Sequence, residues 1–237
     1  MRQVRSIFIL VIALSAIACS QKQPTYGVER QLFLPGPYTQ VWAVAPAMDL
    51  SGMEGVDPLL QADLVYQQLQ TVNGVKAIPV NRVIEVFASL EIDSIRSDEQ
   101  AAIVCDLLAA DGLVVPTITA FDPYNPPKLG ASLQLFRKPA GHALPPGIDP
   151  RELSRMASPP AQTALPAQTS LVQAVGMYDS SSGSVREKLA IYADGRNDPQ
   201  GPLGAREYLL SMDRYCGFVY HDLIEQLLLR LQGTESR

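Results

Sequence analysis

The sequence predicts an α/β domain: a mixed sheet of about six strands, with a parallel start and an antiparallel meander, packed by about four helices. Three observations lead there. Residues 41–48 (VWAVAPAM) are a nearly continuous apolar run, as expected of a strand buried on both faces. Helical spacing follows, with Leu59, Ala62, Val65, Leu69 and Val72 recurring every three or four residues. Residues 113–121 and 129–137 then flank the turn DPYNPPK at 122–128, and Leu133 and Leu135 alternate with Ser132, Gln134 and Arg137.

The elements follow in order. Asp57-Pro58 opens the first helix, because Asp caps free N–H groups and Pro is tolerated at the first helical position. Asn73-Gly74 stops it, and residues 75–80 read as a short strand. A second helix begins at Asn81 with Val83, Phe87 and Leu90 inward. Ser97 and Gln100 have the spacing of a capping box, which starts a third helix with Ala101, Val104, Cys105 and Leu108 on one side; Asp111-Gly112 ends it. Residues 138–168 hold seven of the 19 prolines and almost no bulky apolar residue. Such a segment cannot bury enough surface to offset its ordering entropy, so it reads as an exposed, disordered insertion. Residues 170–178 and 185–192 read as a hairpin around DSSSGS. A long helix from about 203 to 231 closes the chain, with Tyr208, Met212, Tyr215, Val219, Leu223 and Leu227 on one stripe.

The first nineteen residues, MRQVRSIFILVIALSAIAC, place Arg2 and Arg5 before an apolar run and small residues before Cys19. That order is a bacterial secretory signal, and the run is too short for a membrane span of about 20 apolar residues. A cysteine directly after the small residues resembles a lipobox, although Ala16 stands where the pattern usually has Leu. The resemblance implies a signal peptide at 1–18 and lipidation at Cys19. Residues 19–40, with Pro24, Pro35 and Pro37, then read as a tether to a single domain at 41–232. Ser20 fits sorting to the outer membrane, with the domain facing the periplasm.

Composition narrows the function. Of 237 residues, 47% are hydrophobic and 18% charged, and the formal charge is −5. Cleavage after Ala18 removes two arginines and no acids, leaving 17 basic against 24 acidic residues, or −7. No basic block interrupts this, which argues against nucleic acid as a partner and against a polybasic membrane patch. With Cys19 lipidated, Cys105 and Cys216 remain as a candidate disulfide or as two buried thiols.

The segments VWAVAPAMDLSG, VKAIPVNRVIEVFASL, AAIVCDLLAADGLVVPTITAFDPY and ASLQLF resemble the α/β domain of bacterial envelope lipoproteins. That group includes the curli-secretion lipoprotein, the lipoprotein activators of penicillin-binding proteins and the N-terminal domain of the Tol translocation protein. The resemblance is a pattern of hydrophobicity and turns over residues 41–137 and 169–231. It implies a non-enzymatic adaptor or assembly factor. Two departures stand out: Pro116 lies inside a strand, predicting a bulge or an exposed edge, and the proline-rich insertion is atypical. The insertion lacks the alternation of a membrane-crossing strand, which makes a pore the least suitable role.

No catalytic constellation is present in the sequence. His142 falls in the insertion, and His221, beside Asp222, reads as a helix-surface or half-buried residue because no nucleophile lies near it. There is no zinc spacing, Walker loop, G-x-G-x-x-G or G-x-S-x-G. The expected role is therefore a lipid-anchored adaptor without cofactor or metal, binding an envelope protein. Its candidate partner surface is Pro116, the turn residues Tyr124 and Asn125, Tyr220 (which falls off the apolar stripe of the last helix), and the insertion. The alternative is a solute-binding or sensing lipoprotein with a small-molecule pocket.

Overall fold

The computed structural model describes residues 29–137, 170–197 and 201–235. Among these residues the chain forms β1 (Leu32–Phe33), β2 (Gln40–Val44), β3 (Met48–Asp49), α1 (Pro58–Gln70), β4 (Val72–Asn73) and β5 (Val75–Ala77). There follow α2 (Val80–Leu90), α3 (Asp98–Leu108), β6 (Gly112–Asp122), β7 (Lys128–Arg137), β8 (Ser170–Asp179), α4 (Gly183–Ala193), a 3₁₀ turn (Gly204–Arg206), α5 (Glu207–Leu210) and α6 (Met212–Glu235). The six-stranded mixed sheet has the order β5-β2-β6-β7-β8, with β3 beside β6 beyond the end of β2. Strands β5, β2, β3 and β6 are parallel, and β6-β7-β8 is an antiparallel meander. This is the predicted α/β class.

The expected caps form. The Asp57 carboxylate accepts the N–H groups of Leu59 and Leu60 at 2.9 and 3.2 Å. Ser97 Oγ accepts the N–H of Gln100 at 3.3 Å, while Gln100 Oε1 accepts the N–H of Arg96. Residues 41–48 do not form one continuous strand. After Val44 the backbone passes through Ala45-Pro46-Ala47, and the Ala47 N–H donates to the Pro58 carbonyl at 3.1 Å rather than to the sheet. Pairing with β6 resumes at Met48 opposite Thr117. Pro116 lies at the level of this gap. The carbonyls of Val114 and Ile118, two residues either side, face the β2–β3 edge, accepting from Ala45 and Leu50. By strand alternation the nitrogen of Pro116 faces the same way. The irregularity of β6 is thus not at Pro116, which pairs with Leu133, but at Thr119, between Ile118 and Ala120.

Both faces of the sheet are packed, in two separate layers. On one face Trp42, Val44, Val114, Ile118, Leu129, Leu133 and Leu135 meet α1 and α6. On the other, Ala43, Ala45, Leu113, Val115 and Phe136 meet Val83 and Phe87 of α2 and Val104 and Cys105 of α3. Cys216 belongs to the first layer and Cys105 to the second. The sheet stands between them, so the candidate disulfide does not form; its Cα atoms would need to lie within about 7 Å.

Three further expectations change. Residues 185–192 are helical, within α4, because Val185, Leu189 and Tyr192 occupy one helical face and are the residues it buries. The sixth strand is β3 instead. The final helix is interrupted at Ser211, whose extended backbone separates α5 from α6. The expected tether at 19–40 ends earlier: Leu32 and Leu34 are buried in the core, and β1 pairs with β4.

Candidate functional site

Two surfaces stand out, one on each side of the sheet. The first is a cleft of about 290 Å³ between α4 and α6, with Arg30 also in its lining. Its apolar part is Ile191, Tyr192, Phe218 and Leu229. Its polar part is built on Asp222, which ties three elements together. Asp222 Oδ2 accepts from the Tyr178 hydroxyl of β8 at 2.6 Å, from Lys188 Nζ of α4 at 2.9 Å and from Gln226 Nε2 at 2.9 Å. Lys188 also reaches Oδ1 at 3.1 Å. Burial works to raise the Asp222 pKa, but the hydrogen bonds from Tyr178, Lys188 and Gln226 together hold it below the ordinary carboxylate value. A carboxylate so fully engaged is a structural tie and a poor general base.

His221 is 6% exposed and lines the same cleft. Burial, assisted by the nearby Arg196, pushes its pKa down to about 4, so its ring is neutral at neutral pH. The ring packs 5.0 Å from that of Tyr192. Its Nδ1 is buried without a hydrogen-bond partner among the described residues. Around it the cations are matched by acids: Arg30 pairs with Glu225 and Arg196 with Glu29, both at 2.8 Å. Arg196 also lies over the Tyr192 ring, 4.2 Å from its centroid. Among the described residues no group of three or more His, Cys, Asp or Glu is placed to hold a metal ion.

The second surface is the far face of β8. Even-numbered residues Val172, Ala174 and Tyr178 pack toward α6, so the odd-numbered ones point the other way. There, among the described residues, α2 and α3 cover β2 and β6 and leave the outer strand bare. Leu171, Val175 and Met177 are 48, 55 and 63% exposed. As the last strand in the sheet order, β8 also presents an edge.

The sequence-predicted surface is only partly a surface. Tyr124 is 77% exposed and Asn125 is exposed beside it, on the β6–β7 turn, where the Tyr124 N–H donates to Asp122. Pro116 is buried inside the sheet. Tyr220 is fully buried, and its hydroxyl donates to Gln61 Oε1 of α1 at 2.5 Å. It fell off the apolar stripe because α6 has no single stripe: Tyr215, Cys216, Phe218, Val219, Tyr220, Leu223 and Ile224 are all at or below 1% exposure, enclosed between the sheet and the other helices. Cys19 and the insertion at 138–168 lie outside the described residues. The network of Tyr178, Lys188, Asp222 and Gln226 was not anticipated, since reading 185–192 as a strand put Lys188 on the wrong element. The signal was present as Val185, Leu189 and Tyr192 at helical spacing. No helix among the described residues is long and apolar enough to cross a membrane.

No protein-family model matches the chain. No curated protein matches it either. The solved structures to which it is similar include a bacterial lipoprotein, GNA1162 from Neisseria meningitidis, at 14% identity over 41% of this chain and 69% of that one, with a TM-score of 0.33. They also include the PelC dodecamer from Paraburkholderia phytofirmans (9% identity, 85% of this chain and 97% of that one, TM-score 0.38). A third is protein XCC0632 from Xanthomonas campestris (8% identity, 89% and 98%, TM-score 0.34). At these values no residue role passes from them to this chain.

Proposed function

We propose that this chain is a lipid-anchored, non-enzymatic protein of the bacterial envelope that works as an adaptor or assembly factor through contact with another protein. The observation that carries the reading is the far face and edge of β8. Its sequence, SLVQAVGMYD, contains no Lys, Arg or Pro, the residues that usually guard an exposed edge. Its one charge, Asp179, is paired with Lys128. A ten-residue edge strand with three half-exposed apolar side chains, met on its backbone by Arg230 of α6 at the Gln173 carbonyl, suits a partner that adds a strand over the remaining edge or lays an apolar face on the sheet. The lipobox-like Cys19 supports attachment to the outer membrane on its periplasmic side. The experiment is a photo-crosslinking amino acid at Val175, with Arg82 on α2 as the control position, in intact cells. A discrete protein adduct specific to Val175 is expected. Adducts absent at Val175, or the same at both positions, would remove the reading.

The α4–α6 cleft favours a second reading, a solute-binding lipoprotein. Its volume lies at the low end for ligand pockets, and its apolar lining with a few polar groups is of the right kind. A ligand raising the melting temperature, and losing that effect in His221→Phe, would favour it over the first.

A further inference from the structure

The chain enters its fold at one fixed place. Glu29 pairs with Arg196 at the end of α4, and Arg30 pairs with Glu225 on α6. A few residues later Leu32 and Leu34 are buried in the core, and the Leu34 N–H donates to the Asn73 carbonyl at 2.8 Å. The domain therefore holds Glu29 and Arg30 beside the α4–α6 cleft, and the connection back to Cys19 is the stretch from residue 20 to residue 28.

Covalent geometry limits that stretch. Ten residue steps separate Cys19 from Glu29, a span of at most about 35 Å when fully extended and about 17 Å for a flexible chain. A domain of this size is roughly 40 Å across. A tether attached to one side cannot reach around to let the opposite side rest on the membrane. Resting on the proposed lipidation of Cys19, we infer that the α4–α6 side faces the bilayer and that the bare face of β8, on the other side of the sheet, faces away from it. The surface that meets the bilayer is the rim of the cleft. There Ile191 and Leu229, each 58% exposed, sit among the paired charges of Arg30–Glu225 and Lys188–Asp222. These charges balance, so the tether and not electrostatic attraction sets the orientation.

Depth-dependent quenching tests this with the full lipidated protein in vesicles of phosphatidylethanolamine and phosphatidylglycerol carrying a headgroup spin label. A fluorophore is attached at Ile191→Cys or at Val175→Cys; the native Cys105 and Cys216 are buried, and the Cys19 thiol is occupied by lipid. Quenching several-fold stronger at 191 than at 175 is expected, and it should persist in 1 M salt. Inserting about twenty Gly-Ser residues between Val28 and Glu29 should flatten the contrast by releasing the reach limit. Equal quenching at the two sites in the parent protein overturns the inference, and so does a contrast abolished by salt, which would mark adsorption to anionic lipid as its cause. Mass spectrometry of the same preparation separates the two claims. Lipid on Cys19 without a contrast defeats the orientation alone, whereas absence of lipid defeats the anchoring reading as well.

Discussion

The hydroxyl of Tyr220 on α6 donates to Oε1 of Gln61 on α1 across 2.5 Å, and both side chains are buried. This bond joins the two helices that cover one face of the sheet. Tyr220→Phe keeps the ring and strands the Gln61 carbonyl. A buried acceptor left without its donor costs about 1–3 kcal/mol. Urea unfolding should show that loss, and Tyr220→Phe combined with Gln61→Leu should recover part of it.

His221 makes stability depend on pH above the range where carboxylates titrate. Its ordinary value is 6.5, and the fold lowers it to about 4. Between those values the unfolded chain binds a proton that the folded chain refuses. The contribution is complete above about pH 6.5 and falls away toward pH 4, by about 1.4 kcal/mol per unit at most and about 3 kcal/mol in total. Urea midpoints measured across that window should decline in the parent protein and decline less in His221→Gln. Parallel profiles would assign the proton to another group.

Gly176 on β8 lies under the ring of Tyr178. A Cβ there would come within 2.5 Å of Tyr178 Cε2 and 2.9 Å of Cζ. The ring cannot swing away freely, because its hydroxyl is held by Asp222 and it packs against Phe218 in a T-shaped contact, 5.9 Å between centroids. Gly176→Ala should destabilise the domain by about 1–3 kcal/mol, read as a lower melting temperature. The penalty should shrink in a Tyr178→Ala background, where the obstructing ring is gone.

The two internal thiols should behave as separate buried groups. Burial raises the Cys216 thiol to about 12, so it is protonated at neutral pH and a weak nucleophile. In a Cys19→Ala protein, an aromatic disulfide reagent should react slowly with the native fold. It should react with two thiols per chain in guanidinium without added reductant. No thiol appearing under those conditions would mean that Cys105 and Cys216 are oxidised.

Much of the fold was legible where local chemistry dominates. Asp57-Pro58 and the Ser97–Gln100 pair announced helix starts, and alternation placed β7 to within one residue. What escaped depends on neighbours distant in sequence. Leu32 and Leu34 looked like part of a polar, proline-containing tether because β4, their partner, is only two residues long. Tyr220 looked exposed because helical periodicity assumes a wet side, and α6 has little of one over its middle. The Asp222 network joins β8, α4 and α6, whose meeting no spacing rule reveals. The bare face of β8 was visible only as ordinary alternation, since exposure there depends on where α2 and α3 stop.

Pro116 shows how a loss of hydrogen bonding can be placed where it does little harm. Its missing donor faces the level at which the chain, after the Ala45 N–H has bonded to Val114, leaves the sheet so that Ala47 meets Pro58. The parallel crossover thereby gains its footing: the segment released from the ladder is the one that seats the first turn of α1. A residue with an N–H at 116 would aim a donor at the level where the chain turns away from β6. The proline acts as a blank in the template, stopping β2 from zipping along β6 and so keeping the chain available to cross over.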